Sequence, residues 1–266
     1  MRIAIMGANG QMGRALLKAA TANGFTISAA VVRTGTALVG EDISLLVGSA
    51  QTGVLISDDP LEAILQSDAV IDFTTPALSL TYAAYAAQAR IAHIIGTTGF
   101  TTAQELEIAA AARHSPIVKS GNMSLGVNLL AGLVRQAAAL LGPNEFDIEI
   151  YEMHHRRKVD APSGTALLLG EAAAHGRGTN LTAIKTESAK GIRLSGAIGF
   201  SSARGGTVVG DHSVTFAGEN ERLILSHFAQ DRAIFAKGAL YAARWAEKQK
   251  PGLYTMMDVL NLNDKP

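Results

Sequence analysis

The chain contains no cysteine, so disulfides and thiolate metal sites are excluded. It has no excess of either charge: 23 Lys plus Arg stand against 23 Asp plus Glu. That balance argues against general nucleic-acid binding, which needs a basic footprint. The run Arg156-Arg157-Lys158 is too short to overturn it. No uninterrupted apolar stretch reaches the roughly 18 residues needed to cross a bilayer. Even Leu125 to Leu141 is broken by Asn128, Arg135 and Gln136. Met1 to Gly7 carries too short an apolar run for a signal peptide. The expectation is a soluble cytoplasmic protein with no nucleic-acid or membrane partner. Internal repeats and low-complexity segments are also absent. What is present is apolar mass: 48% of 266 residues are hydrophobic, enough for one large or two modest domains.

Arg2 to Met6 is a short apolar run that reads as a buried parallel strand. It leads into Gly7-Ala8-Asn9-Gly10-Gln11-Met12-Gly13, and Arg14 to Ala22 then has helical periodicity. G-x-x-G-x-x-G between a strand and a helix is a variant of the dinucleotide fingerprint. The first glycine makes the turn, the second lets backbone approach a pyrophosphate, and the third allows close helix–strand packing. A plain glycine-rich turn is the alternative. Phe25 to Val32 reads as the second strand. An acid at its end would bind the ribose 2′-hydroxyl of NADH; Val32-Arg33-Thr34 instead offers Arg33 to a 2′-phosphate. NADPH is therefore the expected cofactor, with NADH possible, unless Arg33 is only a surface cation.

Residues 35–57 read as an irregular insertion with a short strand near Val54 to Ile56. Helices are expected over Leu61–Gln66, Leu78–Ala89 and Thr102–Arg113. Strands are expected over Ala69–Phe73, Ile91–Ile95 and Pro116–Lys119. Such alternation implies a doubly wound, Rossmann-type parallel sheet, whose ligands sit beyond the strands' carboxyl ends. Thr74-Thr75, Gly96-Thr97-Thr98 and Gly121-Asn122-Met123-Ser124 would line that rim and suit ribose and nicotinamide.

Val127 to Leu141 reads as a long helix, and the character then changes. Phe146 to Met153 alternates apolar and acidic residues, the pattern of a half-buried strand. It runs into His154-His155-Arg156-Arg157-Lys158. Asp160, Pro162 and Ser163 then signal a turn and a helix start. The helix would present the N–H groups of Gly164 and Thr165, at its positive end, to a carboxylate or phosphate. Lys158 is a point charge, and the histidines titrate near neutral pH. The loop suits an anionic substrate that also receives a proton; a solvated basic loop is the bland alternative. His154 and His155 point to opposite faces, so they do not share a metal ion, and no metal is expected. Further strands are expected at Ile192–Leu194, Thr207–Val209, His212–Phe216 and Arg222–Ser226, with turns at Arg204-Gly205-Gly206 and Gly210-Asp211-His212. His212 and His227 read as structural. The result is an α+β half with a mixed or antiparallel sheet, one face exposed or covered by self-association. Asp231–Lys248 reads as a last helix, and Gly252–Leu262 as a tail docking on the first domain. The division is 1–125, completed by about 232–266, for the dinucleotide, and 126–231 for substrate and oligomerisation.

The run Glu152-Met153-His154-His155-Arg156-Arg157-Lys158-Val159-Asp160-Ala161-Pro162-Ser163-Gly164-Thr165-Ala166 is similar to the E-x-H-H-x-x-K-x-D-A-P-S-G-T-A signature of the dihydrodipicolinate reductases. Gly7–Gly13, Gly96–Phe100, Arg204–Gly206 and Gly210–His212 also fall where that family has motifs, and the likeness covers essentially the whole chain. The resemblance implies NAD(P)H-dependent reduction of 4-hydroxy-tetrahydrodipicolinate, a cyclic dicarboxylate, in lysine and diaminopimelate synthesis. It implies that His154 is a proton donor and acceptor and Lys158 a proton donor. His155 would touch substrate, and Gly164 with Thr165 would clasp a carboxylate. Gly7, Ala8, Asn9, Gly10, Gln11, Met12, Gly96–Thr98 and Gly121–Ser124 would contact cofactor. A homotetramer built through the mixed-sheet domain is also implied. Many members carry an acid where this chain has Val32, which counts against strong NADH use. Two competing readings are a sugar or amino-acid dehydrogenase of similar layout, which does not account for Asp160–Thr165, and a non-catalytic NADPH sensor, which has no use for the histidine–lysine loop.

Overall fold

Arg2–Met6, apolar after its first residue and free of turn formers, forms a strand whose last four residues are buried. In the computed structural model, which describes residues 1–187 and 191–263, this is β1 (Arg2–Met6). There follow α1 (Gln11–Ala22), β2 (Thr26–Val31), α2 (Ser44–Val47), β3 (Ile56–Ser57), α3 (Pro60–Leu65) and β4 (Ala69–Asp72). Next come α4 (Pro76–Ala89), β5 (Ala92–Ile95), α5 (Thr102–Ala111), β6 (Pro116–Lys119) and α6 (Leu125–Leu140). The second half contributes β7 (Asp147–His154), α7 (Gly164–Gly176), α8 (Leu181–Ile184), β8 (Lys185–Thr186), β9 (Ile198–Arg204), β10 (Gly210–Ala217) and β11 (Arg222–Ala229). The chain closes with α9 (Ala233–Ala246), β12 (Gly252–Tyr254) and α10 (Met256–Val259). No helix among the described residues is long and apolar enough to cross a membrane.

The chain divides into two units, Met1–Leu125 with Arg232–Asn261, and Gly126–Asp231 with Leu262 and Asn263. The first is built on a seven-stranded sheet, order β12-β6-β5-β4-β1-β2-β3, with every pairing parallel. Strand order reverses at β1, so β1 and β4 flank the switch point of a doubly wound sheet. One face packs Ile3, Ile5, Leu16, Ile71 and Ile94 against Ala239 and Leu240 of α9. The other packs Val70 against Tyr82, and Ile95 against Ile108. Covering both faces is why these strands read as unbroken apolar runs. Local chemistry starts the helices: Asp59 caps α3 with Pro60 at its first position, and Thr101 with Gln104 forms a capping box on α5.

Residues 35–57 are more ordered than their glycines suggest. The Asp42 carboxylate accepts the backbone N–H groups of Ser44, Thr52 and Gly53, and this closes the loop around α2. The tail does enter the first unit, where β12 pairs with β6 and Tyr254 meets Trp245 edge to face at 5.0 Å. Leu262 groups with the second unit, where it lies beside Gly132 on α6.

The second unit has a five-stranded mixed sheet, order β11-β10-β7-β9-β8. β7 runs antiparallel to β10 and parallel to β9. Three local expectations fail here. Ile192–Leu194 is not a strand; Ile192 and Leu194 are 98% and 73% exposed. Arg193 pins that segment as a loop through Asp147, Glu149 and the carbonyls of Ile148 and Ala197. Thr207–Val209 is turn and coil, and the strand sits one step earlier, at Ile198–Arg204, where it gains β7 as a partner. Gly210-Asp211-His212 is no turn but the start of β10, with His212 directly opposite Glu152. On the inner face Ile148, Ile150, Val214 and Phe216 pack against Ala166, Leu169 and Ala173 of α7 and Val134 of α6. On the outer face Tyr151, Ile224 and Phe228 are exposed.

Candidate active site

Because the strands of the first unit are all parallel, their carboxyl ends share one rim. Gly7–Met12 follows β1, Arg33 follows β2, Gly96–Thr98 follows β5, and Gly121–Ser124 follows β6. Gly7 turns the chain with φ +67, a value L side chains rarely adopt. Gly10 N–H donates to the Gly7 carbonyl at 2.9 Å. A Cβ at Gly13 would collide with the Gly7 carbonyl and the Ala8 backbone, so only glycine lets α1 approach this closely. α1 starts after Gly10 with no side-chain cap and no acid in its first turn, leaving its positive end for an anion. Thr97 is buried and its hydroxyl has no hydrogen-bond partner. A glycine cradle, an uncapped helix start and an orphaned buried hydroxyl on one rim fit a dinucleotide. Asn122 is fixed by turn bonds, its Oδ1 accepting Ser124 N–H at 2.8 Å and its carbonyl accepting Ser120 Oγ–H at 2.8 Å. Arg33 is exposed directly after buried Val32. Asp72, unremarked in the sequence, accepts the Thr74 N–H and hydroxyl and the Ser79 hydroxyl, and so holds Thr74 against Gly7.

In the second unit, strand periodicity sets the chemistry. Ile148, Ile150, Glu152 and His154 alternate inward along β7, so the inner face changes from apolar to polar at its carboxyl end. His154 Nδ1 lies 2.5 Å from Glu152 Oε2. Arg204, at the end of β9 and in register with His154, grips both Glu152 oxygens at 2.9 and 3.0 Å. Burial pushes the Glu152 carboxyl up, but hydrogen bonds from Arg204, His154 and Ser202 outweigh it and hold the group below its usual range. His212 packs edge to face on His154 with ring centroids 5.1 Å apart. Burial and the neighbouring His154 push His212 down to about 4.

After His154 the chain leaves the sheet. Gly205 N–H donates to the His154 carbonyl at 2.9 Å, and Lys158 N–H to the His155 carbonyl at 3.1 Å. Lys158 Nζ bonds both carboxylate oxygens of Asp160 at 2.8 Å, which holds that carboxyl low. Arg204 also donates to the Asp160 carbonyl at 2.6 Å. Ser163 then caps α7, its Oγ accepting Ala166 N–H at 3.1 Å, so Gly164 and Thr165 form the helix's first turn. His154, Lys158, Gly164 and Thr165 thus belong to one strand–loop–helix assembly, with half-buried His155 on its loop. Sequence reasoning gave no role to Glu152 or Arg204, and read Asp160 only as a turn signal. The missed signal was the i, i+2 spacing of Glu152 and His154, which puts them on one strand face. A separate cavity of about 400 Å³ beside Glu149, Arg193 and Phe200 contains none of these residues. No cluster of three His, Asp or Glu side chains suited to a metal occurs among the described residues.

Residues 1–123 match the family model described as dihydrodipicolinate reductase, N-terminus, and residues 126–260 match dihydrodipicolinate reductase, C-terminus. The chain is 56% identical over 269 residues to 4-hydroxy-tetrahydrodipicolinate reductase of Rhizobium rhizogenes, covering 100% of this chain and 98% of that protein. It is 57% identical over 266 residues to the protein of the same name from Beijerinckia indica, covering 98% of each. Among solved structures it resembles dipicolinate-bound dihydrodipicolinate reductase from Paenisporosarcina sp. TG-14, with TM-score 0.79 and 24% identity over 97% of this chain and 98% of that one. It also resembles an amine dehydrogenase from Mycobacterium smegmatis, with TM-score 0.59 and 15% identity over 95% of this chain and 94% of that one. At such identities these two likenesses bear on the fold alone.

Proposed function

The chain belongs to the dihydrodipicolinate reductase family, and from that premise we propose that it reduces 4-hydroxy-tetrahydrodipicolinate to tetrahydrodipicolinate with NADPH as the preferred cofactor. It is an NAD(P)H-dependent oxidoreductase, of a family that serves lysine and diaminopimelate biosynthesis. The finer assignments are ours. Residues 1–125 with the closing segment bind the dinucleotide, through Gly7–Met12, Gly96–Thr98 and Gly121–Ser124, with Arg33 on the 2′-phosphate. Residues 126–231 bind the dicarboxylate and carry self-association.

A reduced nicotinamide, when bound, supplies the hydride. The remaining work falls to side chains of the second unit. Lys158 and the first turn of α7, at Gly164 and Thr165, hold carboxylates and stabilise negative charge that develops during reduction. His155 contacts the substrate. His154 or Lys158 delivers the proton, help that is typically worth about 10²–10⁴ in rate. The observation that carries this reading is that one continuous strand–loop–helix brings a buried, carboxylate-backed imidazole, a lysine ammonium and a helix N-terminus together. A homotetramer formed through the outer sheet face, where Tyr151, Ile224 and Phe228 are exposed, belongs to the same reading, as does a cytoplasmic location.

The test is absorbance at the nicotinamide band, with the aldehyde–pyruvate condensation product generated enzymatically in the cuvette. NADPH should be consumed only when that product is supplied. Binding of NADPH without consumption would instead identify a sensor, and turnover of sugars or amino acids would identify the dehydrogenase reading.

A further inference from the structure

An ionised carboxylate can only accept hydrogen bonds, and Glu152 is surrounded by donors. Oε1 receives Arg204 Nη2 at 3.0 Å and the Ser163 backbone N–H at 3.3 Å. Oε2 receives Arg204 Nη1 at 2.9 Å and faces His154 Nδ1 at 2.5 Å. A guanidinium fork on both oxygens leaves no place for a carboxyl proton, so the proton in the histidine contact sits on Nδ1. In a neutral imidazole the other nitrogen, Nε2, is then the acceptor. The space beside Nε2 is kept open by Gly210, where a Cβ would lie 3.0 Å away.

We infer that Glu152, clamped by Arg204, is a positioning residue that fixes His154 with its proton on Nδ1 and leaves Nε2 as the nitrogen that exchanges a proton with substrate. This rests on the reading that His154 handles the proton. The residues come from three elements, and strand register makes their meeting necessary. Glu152 and His154 share the inner face of β7, Arg204 is paired with His154 across β9, and Ser163 caps α7. Acting through a bond to the imidazole, Glu152 needs no contact with the reacting atoms.

Glu152→Gln is a sharp test because its shape is conserved and its donor count is not. Whichever way the amide is turned, its NH₂ meets an Arg204 donor, and on the Oε2 side it also meets His154 Nδ1–H. The strain on that side falls if the imidazole moves its proton to Nε2. The experiment is ¹⁵N NMR of the histidine rings in the full-length enzyme at mildly alkaline pH, with kinetics on Glu152→Gln and His154→Ala. The expected result is Nδ1–H for His154 in the wild type and a shift toward Nε2–H in Glu152→Gln. With it kcat should fall about 10- to 100-fold, the loss typical when the orienting partner of a metal-bound histidine is removed, while the KM for substrate changes little. A wild-type ring protonated on Nε2 overturns the inference, and this decides the matter even if Glu152→Gln does not fold. A crippled His154→Ala beside an unimpaired Glu152→Gln overturns it alone. A fully active His154→Ala removes the proton-handling role of His154, and the inference with it.

Discussion

Ser163 Oγ lies 3.0 Å from His212 Nε2, and both side chains are buried. The same oxygen accepts Ala166 N–H, so one hydroxyl starts α7 and partners one ring nitrogen of a β10 histidine. Ser163→Ala should therefore destabilise the fold by more than a lost cap. The cap contributes about 1 kcal/mol, and a buried ring nitrogen left unpaired costs about 1–3 kcal/mol. A total of about 2–4 kcal/mol should appear as a lower urea midpoint with an unchanged slope.

His212 also makes the fold acid-sensitive. Burial lowers it from 6.5 to about 4. As pH falls through that window the unfolded chain takes up the proton before the folded one. Stability is full above 6.5 and drains away toward 4, by at most about 3 kcal/mol. His227, opposite His212 on β11 and also lowered by burial, acts in the same direction. Thermal midpoints measured across this range should fall steeply in the wild type and less steeply in His212→Gln.

At the basic loop, His154→Ala and Lys158→Ala should each cut kcat at least about a hundredfold, within the range of general-acid help, while NADPH binding measured by fluorescence survives. Near-normal kcat in both variants would remove the proton-transfer assignment.

Arg33→Ala should raise the KM for NADPH about 10- to 100-fold, the worth of a hydrogen bond to a charged group, and leave the KM for NADH nearly unchanged. An unchanged ratio of the two constants would reduce Arg33 to an ordinary surface cation.

Gly13→Ala should abolish dinucleotide binding, because its methyl group would lie inside the Gly7–Ala8 backbone. Overpacking of this kind costs about 1–3 kcal/mol. Calorimetric titration with NADPH and a thermal melt separate the two effects.

The parallel sheet was legible in the sequence because its strands are buried on both faces and punctuated by glycine and capping signals. Ala69–Asp72 and Pro116–Lys119 are examples. The mixed sheet was less so. Ile198–Arg204 becomes a strand because β7 lies beside it, whereas Ile192–Leu194, locally as apolar, has Arg193 tying it into a loop. Local pattern does not contain that long-range choice. At the site, the histidines, the lysine and the helix start were visible as a cluster of types. Arg204 reads only as part of a turn within a family motif, because its partner Glu152 is 52 residues away and only β7–β9 register joins them. The glycine of Gly210-Asp211-His212 suggested a turn, but it serves close approach to His154 within a strand.

β7 and β9 point the same way, and strands that do so cannot be joined by a hairpin. The polypeptide must travel back along the sheet between His154 and Lys185, where β8 already runs parallel to β9, and that return journey is made of the basic loop, α7 and α8. The gripping apparatus is thus also the connector that makes the sheet's topology possible. Shortening it would unzip the central strands, so in a deletion scan of this span assembly should fail before turnover can be measured.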